Sequence, residues 1–139
     1  MKEGIARKSF ADKERAKSLI KTAKERLEDY ADKITLDGKN ARFVVEEYYE
    51  STIEVIHAFM SSAGYICYNH DCTIEFLREY YSEVISEGEI DFLHRLRRLR
   101  NDIKYKGKEL SKDEAEGWIK QTRAIFKKLL SVKYESKTK

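Results

Sequence analysis

No proline occurs in the 139 residues, so nothing in the chain forces a helix to kink or stop. Amides are nearly as scarce, with Gln121 and the three asparagines Asn40, Asn69 and Asn101. That bias leans toward a heat-loving source. No stretch approaches the roughly eighteen apolar residues of a membrane span. The first residues, with Lys2, Glu3, Arg7 and Lys8, lack the apolar run of a signal peptide. A cytoplasmic protein is the expectation. A large charge of one sign is also missing: the net charge is +3, so any anion binding has to come from local clustering. Cysteine is limited to Cys67 and Cys72, which flank His70. A metal site needs about four ligands at recognisable spacing, and His57 and His94 stand too far along the chain to complete one by inspection. Reduced thiols near a helix start are the preferred reading, and no metal or cofactor is expected.

What the chain does have is charge, at 38% of residues, on an apolar framework of helical period. Its length suits one domain over 1–139. Gly38, Gly64, Gly88 and Gly107 punctuate five segments. The first, from about Ser9 to Ile34, puts Leu19, Ile20, Ala23, Leu27 and Tyr30 on one face. The second, Ala41 to Ala63, is apolar over more than half its circumference and is expected at the centre of the fold. The third runs from about Asp71 to Ser86 and the fourth from about Glu89 to Lys104. The fifth opens on Ser111 and Glu114, the pattern of a capping box. The polar tail over 132–139 is expected to fray. No strand-like alternation competes, so the fold is all-α: an antiparallel up-and-down bundle of four to five helices.

The fourth segment carries the strongest functional signal. Arg95, Arg97, Arg98, Arg100 and Lys104 crowd one helix whose Phe92, Leu96, Leu99 and Ile103 still recur at core spacing. Arg97, Arg100 and Lys104 fall on a flank of that apolar stripe. His94, Arg98, Asn101 and Tyr105 form a polar column nearly opposite the core, which places Tyr105 outward at the helix end. One reading is a solvated helix whose arginines pair with the abundant glutamates. The other is an anion site: guanidinium forks match phosphate oxygens, Asn101 supplies donors and an acceptor, and Tyr105 stacks a base or donates a hydrogen bond. Spacing leaves both open.

Several pieces in order resemble the HEPN family, over roughly Phe43 to Leu130. They are the run Tyr48 to Ala58 (YYESTIEVIHA), the stop at Gly64, His70 ahead of the third helix, Arg100 to Tyr105 (RNDIKY), and Trp118 and Phe126 in the last helix. The resemblance implies a four- or five-helix bundle that pairs as a two-fold dimer. It also implies a motif of Arg followed, a short spacer later, by His. Active members are metal-independent endoribonucleases, often toxins paired with a small nucleotidyltransferase. Their Arg holds phosphate and their His takes part in cleavage by the RNA's own 2′-hydroxyl. Arg100 and Asn101 sit where that motif begins, but Tyr105 stands in place of the His, as in a single-domain branch of the family.

A phenol with an ordinary pKa of about 10 is a poor base at neutral pH. Three readings follow. The leading one is a homodimeric nucleotide- or RNA-binding domain with weak or absent nuclease activity. Its binding residues are Arg97, Arg98, Arg100, Asn101, Lys104 and Tyr105. The second is an endoribonuclease toxin using Arg100 and Tyr105, with His70 or His94 as a substitute base; structural or surface roles are the preferred reading of both histidines. The third is a non-catalytic partner of a nucleotidyltransferase, docking through the basic column.

Overall fold

The computed structural model describes residues 6–132. A short strand β1 (Arg7–Lys8) precedes α1 (Lys13–Lys24). Helix α1 runs on through a π-type stretch, Glu25–Tyr30, and a 3-10 turn, Ala31–Lys33. Then come α2 (Ala41–Ala63), β2 (Tyr65–Ile66), α3 (His70–Tyr80), α4 (Glu87–Lys106) and α5 (Lys112–Leu130). β1 pairs antiparallel with β2, Arg7 opposite Ile66. The all-α bundle expected from the sequence is the fold, with this strand pair as a small addition. The expected fraying of the tail concerns residues that, Val132 apart, lie outside the described ones.

Helix α2 is the central element because it is apolar almost all round. Tyr48, Tyr49, Ile53, Ile56 and Phe59 are all at most 2% exposed, and α2 touches α1, α3, α4 and α5. Its end meets the start of α1, where Asp12 N donates to Ser61 O at 2.8 Å. Its start meets the end of α4, where Arg42 donates to Gly107 O at 3.2 Å. Both neighbours therefore run against it. Helix α3 packs on α2 and runs in the same direction, with contacts passing from Tyr49–His70 to Phe59–Tyr81. It pairs antiparallel with α4 through Glu75–His94 and Arg78–Glu87.

Three boundaries differ from expectation. Helix α1 begins at Lys13 rather than near Ser9, and the Asp12 side chain caps it by accepting from Arg15 N. The third helix stops at Tyr80 rather than near Ser86. Tyr81, Val84 and Ile85 keep the helical apolar spacing, yet they form a turn in which Val84 N and Ile85 N both return to Tyr81 O. Periodicity persists there because Tyr81 and Ile85 are buried, at 0% and 3% exposure, whatever the backbone does. Gly88 is not a break either. Ser86 and Glu89 form a second capping box, so α4 begins at Glu87 and carries Gly88 in its first turn.

Cys67 and Cys72 are joined in a disulfide, which corrects the expectation of reduced thiols. Asn69, N-cap of α3, accepts from Cys72 N at 2.8 Å. This turn brings the two Cα atoms to 5.8 Å, within the ordinary bridging range.

Candidate anion-binding site

The apolar stripe of α4 faces the core as its spacing requires, with Phe92, Leu96, Leu99 and Ile103 at most 7% exposed. Ile90 and Leu93 widen that stripe. Its broadening turns Arg97 and Arg100 inward, against α3 and α2, where their side chains are only 22% and 13% exposed. Arg100 donates to Glu50 Oε2 at 2.8 Å and to Asn101 Oδ1 at 3.3 Å. Its guanidinium carbon lies 5.8 Å from the Tyr49 ring centroid. Arg97 reaches Asp71 Oδ1 at 3.6 Å. Each arginine nevertheless keeps a buried Nε donor with no partner among the described residues. A buried orphan donor costs about 1–3 kcal/mol, so each guanidinium keeps hydrogen-bonding capacity that its one carboxylate partner does not use.

Behind them sits an aromatic and imidazole layer. The Tyr49 hydroxyl is 2.7 Å from His70 Nδ1. Burial raises the Tyr49 pKa, so the phenol stays protonated and donates to Nδ1. The imidazole proton then resides on Nε2, which becomes a donor. The His70 pKa is lowered, first by burial; Glu50 works the other way, and Arg100, Arg97 and Lys104 add to the lowering. His57, whose ring centroid is 6.2 Å from that of His70, is pushed down to about 4, mainly by burial and secondly by His70. Both rings are neutral at pH 7. Glu46 has its pKa raised by burial, opposed by Arg100 and Lys104. The site thus brings two guanidiniums and a neutral imidazole together with Glu50 and Asp71.

The sequence-derived candidates divide. Arg97, Arg100 and Asn101 converge here, and Lys104, exposed one turn beyond Arg100, contributes to the same electrostatic field. Arg98 is exposed and lines a shallow hollow with Asp71, Asp91, His94, Arg95 and Arg97, so it neighbours Arg97 and not Arg100. Tyr105 is 71% exposed, with Lys104 Nζ 5.6 Å from its ring centroid. Five residues at about 100° each put it roughly 140° round the helix from Arg100, so the two do not share a face. His94 does not point away from the bundle as its column position suggested. It is 13% exposed, held by Glu75 at 2.6 Å and Asp71 at 3.4 Å. It bridges α3 and α4.

Tyr49, Glu50 and Glu46 were missed as site residues. A signal was present: Glu46, Glu50 and His57 stand at helical spacing in a largely apolar central helix, though Glu47 and Glu54 interrupt it as well. Among the described residues no group of three His, Cys, Asp or Glu is arranged to hold a metal ion.

Among the described residues, five packed helices around one core, with a single two-residue strand pair, define the class: a small all-α helical-bundle domain. A HEPN domain model matches residues 13–132, and the chain belongs to that family, whose helical domains are related to nucleotides and RNA. No curated protein matches it.

Proposed function

We propose that the protein binds RNA or a nucleotide through phosphate, at the recess where Arg97 and Arg100 of α4 face α2 and the start of α3. The observation that carries this reading is the pair of inward guanidiniums, each with a buried Nε donor and no partner for it. An arginine serving only the fold satisfies its fork with carboxylates, as Arg78 does with Glu75 and Glu87. Arg97 and Arg100 share one carboxylate contact each, and phosphate oxygens suit what is left over. Lys104 adds charge at the mouth, and Asn101 adds an amide beside Arg100.

Cleavage is a separate matter. Tyr105 lies off the recess, so the Arg100–Tyr105 pair has no shared geometry for proton transfer. Binding with little or no cleavage is the reading that the placement of Tyr105 supports. The domain acts as a homodimer in this proposal. The exposed Tyr105 and Phe43 supply apolar surface at one end of the bundle, where Arg42 stacks at 4.7 Å on Phe43 and reaches Gly107.

Fluorescence anisotropy with labelled single-stranded RNA tests the binding. The full chain binds at low ionic strength, and Arg100→Ala weakens that binding by roughly tenfold or more, the loss of a charge-assisted bond to phosphate. Binding that survives Arg100→Ala and Arg97→Ala unchanged would remove the recess from consideration. RNA cut by the wild type and left intact by Arg100→Ala would favour the endoribonuclease instead.

A further inference from the structure

Cys67 and Cys72 are the only cysteines in the chain, and their disulfide closes a loop over Tyr68, Asn69, His70 and Asp71. Two of those enclosed residues belong to the recess. His70 meets the Tyr49 hydroxyl, and Asp71 meets Arg97 and His94. A third, Asn69, starts α3: its side chain accepts from Cys72 N, and its carbonyl accepts from Thr73 N and Thr73 Oγ1, at 3.2 and 3.1 Å. Apolar packing does little for this loop, since Tyr68 is 72% exposed and Asn69 and Asp71 are exposed as well. Its shape therefore depends on polar ties, namely the cap hydrogen bonds and the contacts of His70 and Asp71, and on the sulfur bridge. First turns of helices open at small free-energy cost when such ties are cut.

We propose that the Cys67–Cys72 disulfide is a redox latch on the recess: closed, it holds His70 and Asp71 against the arginine pair, and open, it releases them. His70 is then a further phosphate-binding residue, offering its Nε2 hydrogen, and its placement is conditional on oxidation. This rests on the phosphate-binding reading and adds to it both a residue and a control. The exchange is that of a thiol-disulfide couple. A dithiol such as dithiothreitol attacks Cys67, whose sulfur is the more accessible because Cys72 is 2% exposed. The Cys72 sulfur leaves as a thiolate and takes a proton. The second thiol of the reagent then frees Cys67 and leaves as a cyclic disulfide, two electrons and two protons having passed to the protein. A disulfide oxidant of the glutathione type reverses the step.

With no other cysteine to react, the comparison is clean. Labelled single-stranded RNA is titrated with the full chain, oxidised and after dithiothreitol, with free thiols counted in each. The same is done for Cys67→Ser/Cys72→Ser and for His70→Ala. The oxidised wild type binds roughly tenfold more tightly than the reduced one, the equivalent of one hydrogen bond to phosphate. The double serine variant matches the reduced protein with or without reductant. His70→Ala binds at that weaker level and does not respond to dithiothreitol. Equal affinities of oxidised and fully reduced wild type overturn the latch. So does a reductant effect as large in His70→Ala as in the wild type, since the loop would then act through some other group. If neither form binds RNA, the phosphate reading is what fails. Amide hydrogen exchange over 70–73 then decides the latch, which stands if reduction speeds exchange there and falls if it does not.

Discussion

At the scale of single residues, the neutral histidines are the feature most exposed to solution conditions. His57 sits in the central helix with its Nε2 at 3.4 Å from Thr73 Oγ1, and it takes a proton only near pH 4 in the folded protein. In the unfolded chain it does so at about 6.5. Between those values the unfolded state binds more protons, so the contribution of His57 to stability is complete above pH 6.5 and is lost as the pH falls toward 4. The loss amounts to roughly 2–3 kcal/mol. His70 shifts in the same direction and adds to it. Carboxylates titrate over the lower part of that range, so the test is a difference. Urea midpoints of wild type and His57→Gln, compared from pH 7 to pH 4.5, converge as the pH falls. Parallel curves would show that His57 is already protonated, or hydrated, in the fold.

The same scale shows why the cationic residues were legible and their partners were not. A crowd of arginines on one helix is visible in any window of that helix, and Arg97 and Arg100 stand out without a fold. What converts two of them from surface charge to a recess is Glu50, fifty positions earlier, together with Tyr49 and the His70 loop. No local pattern joins those segments. Tyr105 illustrates the converse: its place in the family's motif drew attention to it, but the helical twist turns it away from Arg100.

At the scale of elements, the segments were read well wherever an end is written into local chemistry. Helix α2 runs from Ala41 to Ala63 as its apolar span indicates, because Gly64 takes a left-handed conformation there, at φ 81°. Helix α5 starts behind Ser111 as its capping box requires. The end of α3 escaped because its stop carries no glycine and its buried residues continue at the same spacing. Gly64 and Gly107, both left-handed, are not equivalent, and this gives a contrast to measure. A Cβ at Gly107 would meet nothing within 4 Å, so Gly107→Ala costs only the left-handed backbone, about 1 kcal/mol. A Cβ at Gly64 would lie 3.0 Å from the Ser9 carbonyl oxygen, where the chain entering α1 packs on the end of α2 and Ser9 N donates to Gly64 O at 2.7 Å. Gly64→Ala therefore costs roughly 3 kcal/mol. Denaturation midpoints of the two variants order them; equal losses would mean that the Ser9 segment gives way freely.

At the scale of the whole molecule, the near balance of charge turns salt dependence into a count of contacts. A net charge of +3 attracts RNA only weakly as a whole, so counterion release reports the phosphates that are locally neutralised. Single-stranded RNA gives a slope of log affinity against log salt of about −0.7 per phosphate engaged. One recess with Arg97, Arg100 and Lys104 therefore gives a slope near −2, and a homodimer that lines a shared cleft with two such helices gives about −4. Arg100→Ala lowers the slope by about 0.7 in the first case and by about 1.4 in the second, since the substitution is then present twice. Sedimentation of the free protein fixes which case applies. Tyr105→Glu, which puts a charge on the exposed ring surface without touching the recess, separates the copies if that end of the bundle is their contact. A dimeric protein whose slope stays near −2 would mean that the two recesses face apart and bind separately. A slope near zero with binding intact would mean that RNA is held through its bases, on Tyr105 or Tyr68, and that the inward arginines serve the fold alone.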